Sequence, residues 1–256
     1  MYVLNKNKKK GFTKITIASL LIIVGIFIFG DKSFTNTIIG MGVCAIFLIF
    51  YFGYVVIQRK KELKELCNDK GFIYSKKPSK EEKKKIDELS FENKNLNIVE
   101  NKDFIKGTYQ NYDFNYVYEL NNKFLSAQPQ KDNERLMFFI KLKKENNYKI
   151  VIRKYEFTRY QLNKEYSELR MKNNLSTNNS EFDKKYNCFA RDSHQFNIIN
   201  SKIIELIQRF DIDAVVLIKN HLIVEFKCRD YTTEFIDINI KNAINIAKEF
   251  DKSLEK

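Results

Sequence analysis

A chain of 256 residues carries 45 Lys plus Arg against 32 Asp plus Glu, a formal charge of +13 and no Trp. Beyond two long apolar runs near its N-terminus, that length leaves room for one ordinary domain rather than several. The cationic excess would ordinarily point to nucleic acid or an anionic surface, yet Lys, Asn and Ile are abundant in every region, as in an AT-rich coding sequence, so the bulk charge selects no partner and nucleic acid is not expected.

The apolar runs are Thr13 to Phe29 and Thr37 to Ile57, bracketed by Lys6–Lys10 and Arg59–Lys61. A spanning helix needs roughly 20 mostly apolar residues; the second run has that length, and the first reaches it once Phe12 and Gly30 are included. No small-residue cleavage site follows Phe29, so a retained anchor is expected rather than a secretory leader. Asp31–Asn36 is only long enough to turn. Cations at both outer flanks mark the cytoplasmic side. The expected location is the cell membrane, multi-pass, with the N-terminus and the C-terminal domain cytoplasmic. The fold class that follows is a membrane helical hairpin, two transmembrane helices over about residues 12–30 and 37–57, plus a cytoplasmic α+β domain with a mainly antiparallel sheet. Residues 1–58 would be the hairpin, 59–90 a helical connector and 91–256 the domain. Arg59, Lys60, Lys61 and Lys64 would meet lipid headgroups of the bilayer, each juxtamembrane cation contributing about 1 kcal/mol against anionic lipid, or would only set topology.

In the tail, Gln58 to Lys70 reads as a helix ended by Gly71, and Phe72-Ile73-Tyr74 as a short strand or packing segment. Ser79 with Glu82 three residues later forms a capping box for a helix to about Leu89. Aromatic and β-branched runs at Phe104–Tyr109, Tyr112–Tyr118, Leu136–Ile140 and Tyr148–Tyr155 predict four or five antiparallel strands in a meander. Phe157–Lys172 is ambiguous, Asn173–Ser180 a polar loop and Phe182–Ala190 another strand. Ile198–Phe210 has helical spacing. Strands Ile212–Ile218 and Leu222–Cys228 and a helix Ile238–Leu254 close the chain.

Gly107-Thr108-Tyr109, the alternation of Tyr112, Phe114, Tyr116 and Tyr118, and Phe182–Asp192 leading into a helix and closing hairpin carry a resemblance. The chain resembles a bacterial domain-of-unknown-function family of two-span membrane proteins with a cytoplasmic α+β tail. The resemblance implies location and layout, and no activity.

Four cysteines, Cys44, Cys67, Cys188 and Cys228, stand far apart without a CxxC pair, which excludes a zinc or redox signature. No Gly-rich phosphate loop or dinucleotide fingerprint occurs, so no cofactor is expected. His194 and His221 read as surface or turn residues. One constellation has catalytic form: Asp213, then Glu225-Phe226-Lys227, as in restriction-nuclease-like sites where two carboxylates hold Mg²⁺ and a Lys helps activate water. Side chains alternate along a strand, so the register decides. A two-residue turn at Lys219-Asn220 sets Asp213 opposite Phe226 and parts the carboxylates; a three-residue turn ending at His221 aligns Asp213, Glu225 and Lys227. A solvated charged face is the ordinary alternative. The expected function is a non-enzymatic membrane-tethered binding or scaffold module, with a protein partner or self-association. A Mg²⁺-dependent membrane-anchored nuclease using Asp213, Glu225 and Lys227 is the alternative.

Overall fold

The structure is a computed structural model and describes residues 53–54, 57–89, 99–121, 134–155, 175–228 and 232–255. The chain divides into two units, residues 1–62 and 63–256; the fold below is that of the second. Helix α1 covers residues 57–70, α2 Lys80–Leu89, α3 Ser180–Lys185, α4 Ser201–Arg209 and α5 Thr233–Ser253. The strands are β1 Ile73–Ser75, β2 Val99–Tyr109, β3 Tyr112–Asn121, β4 Glu134–Lys141, β5 Lys149–Lys154, β6 Tyr186–Ala190, β7 Ala214–Ile218 and β8 His221–Lys227.

All eight strands join one sheet, every neighbouring pair antiparallel, in the order β1-β2-β3-β4-β8-β7-β5-β6. The expected meander holds from β2 to β4, with β1 added antiparallel at its edge, and then stops. β8 takes the place beside β4, and β5 lies two strands away, against β7. The β2–β3 hairpin turns on Gln110 and Asn111, both at positive φ (51° and 65°), the conformation that a two-residue turn demands and that Asn tolerates.

Side-chain alternation sends the two faces of the sheet into two cores. On the first, Phe114, Tyr116, Phe138, Phe226 and Val215 pack with Ile203 and Ile207 of α4 and with Ile240, Ala243, Ala247 and Phe250 of α5. The second holds Val117, Met137, Phe139, Val151, Val216 and Ile223, with Ile86 and Leu89 of α2. Leu63 and Cys67 of α1 are buried in the first core, so the expected connector contributes to the domain's interior. Gly71, at φ +70°, turns the chain from α1 into Phe72, whose ring meets Phe114 edge-on at 5.1 Å and covers Gly107 so closely that a β-carbon there would run into it.

The capping box forms as read: Ser79 N–H donates to Glu82 Oε2 at 2.9 Å and Glu82 N–H to Ser79 Oγ at 3.2 Å. Phe182–Ala190, expected as one strand, is divided. Asn179 Oδ1 accepts the Phe182 N–H at 3.0 Å, and the Asp183 carboxylate takes the Thr177 N–H and hydroxyl. These contacts cap a helical turn, and the strand begins only at Tyr186.

The membrane expectation is overturned as well. Among the described residues no helix is long and apolar enough to cross a membrane, so the fold is the eight-stranded antiparallel sheet with its helices, not a transmembrane hairpin carrying a tail. The multi-pass cell-membrane location and the cytoplasmic placement of both ends fall with it. That reading counted apolar length at about residues 12–30 and 37–57, which lie outside the described residues except for Gly53, Tyr54 and Ile57. The helix that follows is amphipathic, with Leu63 and Cys67 inward and Lys61 and Lys64 exposed, the pattern of a helix that packs on a domain.

Candidate functional site

The β7–β8 turn has two residues. Ile218 pairs with His221 and Ala214 with Glu225; Lys219, at φ 53°, supplies the positive φ. The three-residue alternative is therefore not adopted, and Asp213 stops one residue short of β7. Its N–H donates to the Glu225 carbonyl at 2.9 Å, and its carbonyl accepts the Lys154 N–H at 3.0 Å.

Glu225 shares the second face with Ala214 and Met137, its partners in the register. Its Oε1 accepts from Arg135 Nη1 at 3.0 Å, with both side chains 1% exposed. Arg135 is opposite Lys227 on the same ladder, so the pair is a diagonal cross-strand contact. Through Ala214 the row extends to Arg153, two strands away, and Asn187, three strands away, both buried. A cluster of cations, one carboxylate and one amide thus lies inside the second face.

Asp213 belongs to a different group. Lys154 lies beyond Ile150 and Ile152, which belong to the first core. Its Nζ donates to Asp213 Oδ1 at 2.8 Å, to Asp211 Oδ1 at 2.7 Å and to the Asp211 carbonyl at 3.1 Å. Beside it, the Tyr186 hydroxyl donates to the Ile212 carbonyl at 3.0 Å. Burial pushes the Asp213 carboxyl up to about 6; the Lys154 hydrogen bond and charge work against that, and the carboxylates of Glu225 and Asp211 add to it. Asp213 Oδ2 and Glu225 Oε2 are buried without a hydrogen-bond partner.

The Asp213 and Glu225 carboxylates are thus tied to different cations. Those cations come from β4 and β5, on opposite sides of the hairpin. Among the described residues no group of three His, Cys, Asp or Glu side chains is placed to hold a metal ion, and an Arg on Glu225 offers charge where a nuclease would place Mg²⁺. Sequence reading passed over Arg135, Arg153 and Lys154. The available signal was a cation set directly against an apolar strand run, Arg135 before Leu136-Met137-Phe138-Phe139-Ile140 and Arg153 after Ile150-Val151-Ile152.

The other expected residues lie elsewhere. On α1, Lys61 and Lys64 are exposed and Arg59 and Lys60 half-buried. His221 opens β8, half-buried, and burial with the charges of Lys141 and Lys219 holds its imidazole below the ordinary range. Cys188 lies in the first core, and burial pushes its thiol far up, the state of an inert structural cysteine. An open groove of about 550 Å³ runs between α3 and α4, lined by Glu181, Lys185, Glu205 and Arg209 with Ile204 as its apolar floor.

Neither a family model nor a curated protein matches the chain. Among solved structures, the crystal structure of the mycobacterial trehalose monomycolate transport factor A, TtfA, is similar to it with a TM-score of 0.49 and 9% sequence identity, over 77% of this chain and 94% of that one.

Proposed function

We propose that the eight-stranded domain is a binding module for a partner protein and not an enzyme. The observation behind this reading is the way its one catalytic-looking constellation is used. Glu225 is neutralised by Arg135 in a pair closed to solvent, and Asp213 is held by Lys154. Catalytic carboxylates need an open approach for substrate and a shared target. These two have neither, and their work is to satisfy charge inside the sheet. Lys141, Lys143 and Lys219, by contrast, are exposed, where a second molecule can reach them.

The test is a cleavage assay on the full chain with Mg²⁺ and labelled single- and double-stranded DNA, wild type beside Glu225→Gln. No cleavage above buffer by either protein is the expected result. Cleavage by the wild type that disappears in Glu225→Gln would overturn the reading.

A further inference from the structure

The register draws a second set of cations into line at the other end of the same sheet face. Lys149 pairs with Ile218, Ile218 with His221 and His221 with Lys141. On the outer side of Lys149, the Arg191 N–H donates to the Lys149 carbonyl at 3.0 Å. Each of these residues stands two positions from a member of the second core: Arg191 from Phe189, Lys149 from Val151, His221 from Ile223 and Lys141 from Phe139, with Ile218 itself a member. Alternation therefore puts all of them on that face. The result is a row, Arg191, Lys149, Ile218, His221, Lys141, crossing β6, β5, β7, β8 and β4. Lys219, in the turn between β7 and β8, stands at its centre.

Four strand spacings of about 4.8 Å make the row about 19 Å long. Arg191, Lys141 and Lys219 are exposed, and Lys149 and His221 half-buried. The charges feel one another: Arg191 and Lys219, after burial, lower Lys149, and Lys141 and Lys219 do the same to His221. Among the described residues, neither Lys141 nor Lys219 enters an ion pair. Carboxylates border the row at both ends, Asp192 directly after Arg191 in the chain and Asp113 beside Lys141. Continuing the Phe114–Ile140 pairing by one step brings Asp113 of β3 beside Lys141, and the Thr108 hydroxyl donates to it at 2.6 Å.

We propose that this row is a docking site for an extended acidic segment of a partner protein, laid across the strand ends with its carboxylates over Arg191, Lys149, Lys219 and Lys141. The proposal rests on the reading of the domain as a protein-binding module and names the surface it uses. Its shape favours this occupant. The row takes one residue from each strand, in a single line across the sheet, which fits a single extended chain better than the plane of a bilayer. At about 3.3 Å per residue, six residues cover it and present alternate side chains about 6.6 Å apart. Its one ring is the half-buried imidazole of His221, and it has no Phe, Tyr or Trp on which successive nucleic-acid bases could stack. Its only apolar member is Ile218.

Binding also carries a pH signature. The charged groups around His221 are Lys141 on β4 and Lys219 in the turn, with Lys149 beyond Ile218 and Asp113 beyond Lys141. Acidic side chains arriving over the two lysines offset their repulsion, so His221 takes up a proton more readily in the complex. Affinity then rises as pH falls through the ordinary histidine range, about 6.5.

The experiment uses the full chain and a fluorescein-labelled Glu-Ser-Glu-Ser-Glu-Ser peptide, followed by anisotropy. The expected result is saturable binding that weakens with salt and tightens below about pH 6.5. It should weaken about tenfold or more in Lys149→Glu/Lys219→Glu, as two reversed surface charges imply. The double reversal Lys83→Glu/Lys84→Glu, on the exposed side of α2, changes net charge equally and should leave the affinity within about twofold. The milder pair Lys149→Gln/Lys219→Gln should give an intermediate loss. Equal weakening by the α2 and row variants would show a general charge effect and overturn the proposal. So would absence of peptide binding, or tighter row-dependent binding to phosphatidylserine vesicles or a single-stranded oligonucleotide. The DNA cleavage assay is independent of these outcomes, so loss of the row and loss of the binding reading remain distinguishable.

Discussion

Arg135 Nη1 lies 3.0 Å from Glu225 Oε1 across adjacent strands, and each side chain is 1% exposed. Two charges that far from water are costly alone and tolerable together. The pair joins β4, the last strand of the N-terminal meander, to β8 of the closing hairpin, so it spans the place where the meander gives way to β8, β7, β5 and β6.

Removing one partner should therefore hurt more than removing both. Glu225→Leu and Arg135→Met are each expected to cost about 3–5 kcal/mol, because each leaves an uncompensated buried charge. The double variant should cost clearly less than their sum. Urea denaturation of the four proteins in a double-mutant cycle reads the difference; additive losses would mean that the two side chains are independent.

Asp213 should make the protein more stable in mild acid. Its carboxyl is raised from 3.8 to about 6, so between those values the folded chain binds more protons at this position than the unfolded chain. The contribution is greatest below about pH 4 and declines as pH rises to about 6, by about 3 kcal/mol at most. Stability of the wild type minus that of Asp213→Asn, measured from pH 4 to 7, should fall with that profile. A flat difference would contradict it.

His221 moves in the opposite sense. Its imidazole is held below the ordinary 6.5 by burial, Lys141 and Lys219, so its contribution is fully present above about pH 6.5 and is lost as pH falls through that region. Lys219→Gln removes part of the repulsion. The His221 ring protons, followed by NMR, should titrate at higher pH in that variant than in the wild type.

Gly107→Ala should destabilise the sheet by about 1–3 kcal/mol, the usual cost of overpacking, because the new methyl meets the Phe72 ring. Phe72→Val in the same chain should recover part of the loss. Thermal unfolding of the single and double variants shows whether the close approach is what requires glycine.

The candidate site was legible in residue type and not in arrangement. Asp213, Glu225 and Lys227 stand at a spacing with catalytic form, and a single turn residue separated two opposite outcomes. The φ of Lys219 is a property of the closed hairpin, which pairs Ile218 with His221 and hands the two carboxylates to different cations. Arg135, Arg153 and Lys154 are far from Asp213 and Glu225 in sequence, and no local pattern announces that they arrive beside them.

Short-range physics determined much by itself. The Ser79–Glu82 box, the break at Gly71, the aromatic alternation from Tyr112 to Tyr118 and the apolar faces of α4 and α5 follow from capping, backbone freedom and periodicity, which act within a few residues. Only the tertiary structure decided that β8 rather than β5 lies beside β4, that α1 packs into the domain, and that Arg191, Lys149, His221 and Lys141 stand in one row. Those outcomes depend on which apolar faces meet and on the register that buries them, and that is a choice made between segments distant along the chain.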